Sequence, residues 1–252
     1  MAHYYKNGHR LHPLKANGER YSEAWSGYNK KCEAEGAVKG VTDILKSGLP
    51  TPFMLLNWFA AQAREAAVDV CLYDINYPRE TLLELAKGTY DKRRGEPADL
   101  GKEIHDAIQA CIEGRGLPEE GTPHRTAALA AQKWLKEKGI EDVEAEYVFC
   151  TDEYGGTVDV LSRTSKIIVD WKSTKAPRKP YEAECAQTAA YRRGTIPDAQ
   201  CYNVYFSSVT GELMGDHEWS VPQLELGWEL FSLAQQVIAA KGLFNESMKV
   251  VK

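Results

Sequence analysis

Residues Ile167–Thr174 read IIVDWKST, and this short segment decides how we interpret the chain. The β-branched residues that precede Asp170 are typical of a strand, so the segment predicts one. Alternation along a strand turns the side chains of Asp170 and Lys172 toward the same face. Charged side chains are poorly tolerated on a half-buried strand, so two of them on one face indicate a functional site rather than packing.

A second acidic residue lies on the predicted strand just before this one. That stretch reads GTVDVLS, and the short connection at Thr164 and Ser165 predicts a hairpin. A hairpin centred between those two residues places Asp159 directly opposite Asp170. Opposed carboxylates are destabilising unless a cation lies between them, and Mg²⁺ or Mn²⁺ prefers such oxygen ligands. The pair therefore predicts a metal site.

Two further interpretations concern the surroundings of this pair. A surface ion pair between Asp159 and Lys172 is the alternative to a metal site, but the apolar residues 167–169 are typical of a central strand and disfavour it. Glu146, in the β-type run EAEYVFC, falls opposite Asp159 if a loop spans Thr151–Tyr154. We interpret Glu146 as an accessory metal-binding carboxylate, with a solvent-facing strand residue as the alternative.

The order of predicted elements indicates the fold class. Four segments before residue 140 have apolar residues at helical spacing, and three β-type runs, a helix, two strands and a closing helix follow. This order predicts an α/β fold, with a mixed α+β sheet flanked by helices. We expect an irregular arm or a few short strands at residues 1–40 and a single domain at 41–252. Within that domain we distinguish a helical part (41–140), a sheet core (141–210) and a C-terminal strand and helix (211–252).

Composition limits the classes of protein to consider. The chain has 252 residues, of which 43% are hydrophobic, enough to bury a sizeable core. No run is long and apolar enough for a membrane span, and the N-terminal residues lack the apolar centre of a signal peptide, so we expect a cytoplasmic protein, in a bacterium or a phage-infected host. The six cysteines are scattered, and their spacing predicts neither a zinc site nor an iron–sulfur cluster.

A net charge of −5 gives no overall attraction for nucleic acid, so DNA binding would need a local basic surface. The segment 163–193 supplies one, since it contains eight basic and three acidic residues. Its basic residues follow the IIVDWKST strand and are suited to contacting phosphates, with an ordinary solvated loop as the alternative. The predicted DNA-binding residues are Lys175, Arg178, Lys179, Arg192 and Arg193.

Four short motifs, taken together, resemble those of a known family. They are GKEIH at 101–105, GTVD at 156–159, VDWKST at 169–174 and QTAAY at 187–191. In this order they resemble the motifs of RecB-like nucleases in the PD-(D/E)xK superfamily, a group that includes phage and mitochondrial genome maintenance exonucleases. The resemblance covers about residues 41–209. It implies a restriction-endonuclease-like core with a helical N-terminal elaboration.

The resemblance also implies roles for individual residues. Lys172 would activate the attacking water, and Gln187 and Tyr191 would support that lysine or contact the DNA backbone. A buried amide and phenol that hold strands together is an equally good account of the last two, and a packed core histidine is the alternative for His105. The implied metal ligands are His105, Asp159, Asp170 and the backbone carbonyl of Trp171.

The function that these patterns predict is hydrolysis of DNA with one or two Mg²⁺ or Mn²⁺ ions, most simply by an exonuclease of recombination, repair or phage DNA processing. An endonuclease of the same fold is one alternative, and a catalytically silent DNA-binding or scaffolding protein is another. A glycosidase with paired carboxylates leaves the adjacent lysine unexplained. Expected partners are single- or double-stranded DNA ends, a recombinase or single-strand-binding protein, and further copies of the chain, as in ring-forming relatives.

Overall fold

The computed structural model describes residues 3–23, 26–50, 53–73 and 79–248, with side chains described outside 53–58, 71–73, 79 and 91–99. The N-terminal region forms a small three-stranded sheet in the order β2-β1-β3, together with one helix. A separate buried cluster that includes Tyr4, Tyr28 and Cys32 stabilises it. The elements are β1 (Tyr4–Lys6), β2 (His9–Arg10), α1 (Tyr28–Ala34) and β3 (Val38–Lys39).

Four helices follow before the main sheet begins. The two predicted helical segments on either side of residue 95 form one continuous helix, α4. Helix α5 begins where the sequence provides both a cap and a proline, since the side chain of Thr122 accepts a hydrogen bond from the Arg125 N–H and Pro123 follows the cap. The helices are α2 (Val41–Gly48), α3 (Phe53–Tyr73), α4 (Arg79–Ile112) and α5 (Pro123–Glu137).

A five-stranded mixed sheet in the order β4-β5-β6-β7-β8 is the centre of the molecule. Strands β6 and β7 are parallel and are connected through α6, whereas the other neighbours are antiparallel. The predicted α/β fold with a mixed sheet is therefore confirmed. The elements are β4 (Val143–Cys150), β5 (Gly155–Ser162), β6 (Ile167–Thr174), α6 (Glu182–Gly194), β7 (Gln200–Ser207), β8 (Leu213–Trp219) and α7 (Val221–Ser247).

Each face of this sheet is covered by its own helices. Ile168 belongs to a core with residues of α2, α6 and α7, whereas Val169 and Trp171 belong to a second core with residues of α4 and α5. Strand β6 is thus buried on both faces, as expected for a central strand with parallel pairing. Among the described helices, none has the length and apolar content that crossing a bilayer requires.

The N-terminal sheet packs directly on the main sheet at β5. Tyr5 lies against Gly155, where an added Cβ would be 2.5 Å from the Tyr5 Cβ, so only glycine allows this close approach. The Tyr5 hydroxyl is 3.2 Å from the Thr157 hydroxyl and forms a hydrogen bond with it. Residues near the N-terminus therefore lie beside the strand that carries Asp159.

The packing of α7 on α6 yields a test of the fold. A Cβ added at Gly227 would lie 2.8 Å from the backbone oxygen of Cys185, whereas one added at Gly242 in the same helix would meet nothing within 4 Å. We expect Gly227→Ala to lower the free energy of unfolding by about 1–3 kcal/mol through overpacking. Gly242→Ala should raise it by roughly 0.5–1 kcal/mol through helix propensity. Urea denaturation measures both, and equal effects would contradict this packing.

Candidate active site

The hairpin between β5 and β6 has the register that the sequence predicts. Val160 pairs with Val169 and Leu161 with Ile168, and the hydrogen-bonded ladder ends there. The next opposed positions are Asp159 and Asp170, which the two diverging strands leave outside the ladder. The backbone N–H of Trp171 donates instead to Asp159 Oδ2 at 2.7 Å, so the opening of the ladder places a backbone donor on the carboxylate.

The pairing between β4 and β5 is interrupted at the same place. Glu146 lies opposite Asp159, between pairs at Ala145 and Tyr147, but the two acidic residues do not pair. Glu146 has a φ of 50°, which is uncommon for a residue other than glycine. Val158 packs in the core on the α6 side of the sheet, and Val160 packs in the core on the α4 side. Strand residues two positions apart normally point to the same face. Both strands therefore twist locally where their carboxylates meet.

Helix α4 adds a histidine to this opening. Ligand atoms of His105, Glu146 and Asp159 all lie within 4.8 Å of one another. His105 Nδ1 is 3.5 Å from Asp159 Oδ2. One turn earlier, Gly101 allows the helix to approach β6, because an added Cβ there would be 2.7 Å from the Ser173 hydroxyl oxygen. Gly101 thus permits the close approach of α4 to β6, and this approach brings His105 into the site.

The protonation states of His105, Glu146 and Asp159 depend on one another. Burial and the nearby Asp159 raise the pKa of Glu146 to about 7. Burial opposes the charged forms of His105 and Asp159, but their attraction for each other outweighs it, so the pKa of His105 is raised and that of Asp159 is lowered. A divalent cation would compensate the same negative charge, and two carboxylates with an imidazole are a suitable donor set for Mn²⁺ or Mg²⁺.

On the other side of Asp159, Lys172 is held in a partly buried chain of polar groups. Its Nζ lies 2.5 Å from Asp170 Oδ2 and donates to Gln187 Oε1 at 3.2 Å. Gln187 Nε2 in turn donates to the Tyr191 hydroxyl at 2.7 Å. Burial opposes the charge on Lys172, but Asp170 and Asp159 outweigh it and raise the pKa of the amine. Lys172 is therefore a cation at neutral pH.

Asp170 is the most enclosed of the acidic residues in the site, with 2% of its surface exposed. Burial, assisted by Asp159, outweighs the attraction of Lys172 and raises the pKa of Asp170 to about 6. Its Oδ2 also accepts a hydrogen bond of 2.6 Å from Asn203 Nδ2. Sequence reasoning missed Asn203, although a lone amide within the apolar strand CYNVYFS was a signal for it.

A cleft of about 200 Å³ opens beside the site, lined by Glu146 and Tyr191 from the main domain and by Tyr5 and Arg10 from the N-terminal region. Asp43 of α2 also lines it and accepts a hydrogen bond of 2.5 Å from the His3 backbone N–H. Residues His3, Tyr5, Arg10 and Gly40 of the N-terminal region thus form one wall of this cleft.

Most of the predicted DNA-binding residues have partners within the chain. Arg178 donates twice to Glu184, at 3.0 and 2.5 Å, with its guanidinium group over the rings of Tyr181 and Tyr205. The Arg192 Nε donates to the Ala199 carbonyl, and Arg193 pairs with Glu225 of α7 at 2.8 Å. Lys175 and Lys179 are exposed in the loop after β6. DNA binding by these five residues stays a prediction.

Comparisons with known proteins place three solved structures beside this one. No family model matches the chain, and no curated protein does. The protein SSO0001 is 14% identical over 75% of this chain and 87% of its own, with a TM-score of 0.34. The alkaline exonuclease LHK-Exo from Laribacter hongkongensis is 13% identical over 77% of this chain and 98% of its own, with a TM-score of 0.35.

The third structure is a phage-related exonuclease from Haemophilus somnus 129PT, 13% identical over 58% of this chain and 83% of its own, with a TM-score of 0.28. Two of these three proteins are thus named as exonucleases. Similarity at these TM-scores carries no argument about function, which rests on the geometry of the site.

Proposed function

We propose that this chain is a divalent-metal-dependent DNA nuclease of the RecB-like PD-(D/E)xK type, and that it acts as an exonuclease. The observation that carries the proposal is the convergence of three candidate metal ligands, His105, Glu146 and Asp159, beside the ion pair of Asp170 and Lys172. Structural packing alone gives no reason to bring so many partly or fully buried ionisable groups together, because removing each from water costs free energy unless it is compensated.

In this proposal, residues of three strands and one helix hold the metal. A bound Mg²⁺ or Mn²⁺ would supply Lewis acidity, which lowers the pKa of water and polarises a phosphodiester. The Trp171 N–H and His105 orient Asp159, and Lys172 and Asn203 orient Asp170. The proposed ligands are His105, Asp159, Asp170, the carbonyl of Trp171 and, as an accessory carboxylate, Glu146.

Lys172 is the residue that we assign to the reacting phosphate. Gln187 and Asp170 hold its Nζ from two directions, and Tyr191 fixes Gln187 in turn, so the amine is oriented before a substrate arrives. A fixed positive charge in a buried site stabilises negative charge that develops in a transition state. Lys172 would orient the attacking water and stabilise the pentacovalent phosphate, without a covalent enzyme intermediate.

The substrate in this proposal is DNA with a free end. The exposed Lys175 and Lys179, just beyond β6, would contact backbone phosphates, and such contacts make affinity dependent on salt. Arg178 would support them indirectly, because its pairing with Glu184 ties the loop to α6. A recombinase, a single-strand-binding protein and further copies of the chain remain proposed partners.

Digestion of end-labelled linear and circular DNA tests the proposed activity. We expect cleavage of linear DNA with Mg²⁺ or Mn²⁺ and none with EDTA, and loss of nearly all activity in Asp170→Asn because a buried ligand is removed. Asp198→Asn is the matched control, since Asp198 is an exposed acid paired with Lys166 on the surface. Cleavage of circles would show an endonuclease, and binding without cleavage would show a silent DNA-binding protein.

Replacement of the lysine separates catalysis from metal binding. Lys172→Met should leave Mn²⁺ affinity nearly unchanged but lower the turnover rate by roughly 10²–10³-fold, as for loss of a transition-state donor. Lys166→Met, in the turn just before β6 and exposed, should retain full activity. Single-turnover kinetics at saturating Mn²⁺ measure the rates. A wild-type rate in Lys172→Met would remove the assigned role of the amine.

Isothermal titration with Mn²⁺ tests the accessory carboxylate. Glu146→Gln should weaken Mn²⁺ binding by about 10-fold or more, because even groups one shell further from a metal contribute that much. Glu144→Gln is the control, since Glu144 lies two residues earlier on β4 and pairs with Arg163 at the surface. Equal affinities for the two variants would exclude Glu146 from the metal site.

A further inference from the structure

Two buried side chains outside all of the sequence motifs connect the edge strand β8 with Asp170. Asn203 neighbours Asp170 in the parallel ladder of β6 and β7 and is fully buried. Its Nδ2 donates to Asp170 Oδ2 at 2.6 Å, and its Oδ1 accepts a hydrogen bond of 2.6 Å from Trp219 Nε1. The three side chains form a hydrogen-bonded row across β8, β7 and β6.

Trp219 determines the orientation of the Asn203 amide in this row. An indole N–H can only donate, so the Asn203 amide must present its carbonyl oxygen to Trp219 and its nitrogen to Asp170. The reversed amide would place two donors against each other on one side and an oxygen against the carboxylate on the other. Trp219 therefore ensures that Asp170 meets a donor, although it lies too far along the row to touch the carboxylate.

The row also distinguishes the two oxygens of Asp170. Oδ2 receives both Asn203 Nδ2 and Lys172 Nζ, at 2.6 and 2.5 Å. Within the described part of the chain, no hydrogen bond reaches Oδ1. Two donors on one oxygen restrict rotation of the carboxylate, so the other oxygen keeps a fixed direction.

We propose that Asn203 and Trp219 are positioning residues, which hold Asp170 with Oδ2 bound by donors and Oδ1 directed at a divalent cation. This inference rests on the proposed function, because it takes Asp170 as a metal ligand. A ligand that is oriented in advance binds a metal more tightly, and loss of an orienting partner typically costs 10–100-fold in metal affinity or activity.

The test compares three substitutions with wild type by Mn²⁺ binding, followed by electron paramagnetic resonance, and by cleavage at saturating Mn²⁺. Asn203→Leu removes the donor to Asp170 and keeps the branched shape of the side chain. Trp219→Phe removes the indole N–H together with part of the ring, and it leaves the Asn203 amide free to reverse. Trp134→Phe is the matched control, because Trp134 Nε1 donates to Asp216 Oδ2 at 2.7 Å, outside the row.

We expect Asn203→Leu to weaken Mn²⁺ binding by roughly 10–100-fold. Trp219→Phe should weaken it by a smaller factor, and Trp134→Phe should bind Mn²⁺ like wild type. A role in stability alone would lower the unfolding temperature of Trp219→Phe and Trp134→Phe without changing Mn²⁺ affinity in either. If Asn203→Leu does not fold, Trp219→Phe still tests the positioning role, since this variant retains the Asn203 amide.

The outcomes separate this inference from the proposed function. Wild type that neither binds Mn²⁺ nor cleaves DNA would end the proposed function and the positioning role together. Wild type that does both, with Trp219→Phe as tight in Mn²⁺ binding as Trp134→Phe, would leave the nuclease standing and overturn only the positioning role.

Discussion

The cost of burying negative charge governs the centre of this molecule. Asp170 is buried and Asp159 is partly buried between two apolar cores, where water stabilises ionised carboxylates less than at the surface. Each carboxylate is compensated by donors from a different direction: Trp171 N–H and His105 for Asp159, and Lys172 and Asn203 for Asp170. The arrangement of strands and helices around the site follows from the need to bring these donors together.

The opening of the sheet makes this arrangement feasible. An unbroken ladder through β4, β5 and β6 would use backbone groups to pair the strands and would set like charges opposite each other. Because both ladders are interrupted at Asp159, the Trp171 N–H is free to bind its carboxylate, and Glu146 turns with a left-handed backbone toward His105. The local loss of sheet pairing is thus compensated by a site able to hold a cation, as is common where strained backbone and function coincide.

The two helices beside the site contribute different properties. Helix α4 approaches from one face through Gly101 and delivers an imidazole. Helix α6 lies on the other face and delivers Gln187, which holds Lys172 in place. A candidate metal ligand and a fixed cation therefore reach the same gap from opposite sides, as the proposed function requires.

Local chemistry in the sequence determined much of this picture. Alternation in IIVDWKST placed Asp170 and Lys172 on one face, and the turn at Thr164 and Ser165 set the hairpin register, because both depend on neighbours in the chain. Contacts between distant segments were decided only by the tertiary structure. The hydrogen bonds of Asn203 with Asp170 and Trp219, the pairing of Arg178 with Glu184 and the cleft wall in the N-terminal region depend on strand order and helix packing. No local pattern encodes such contacts, because they arise from burying two faces of one sheet at once.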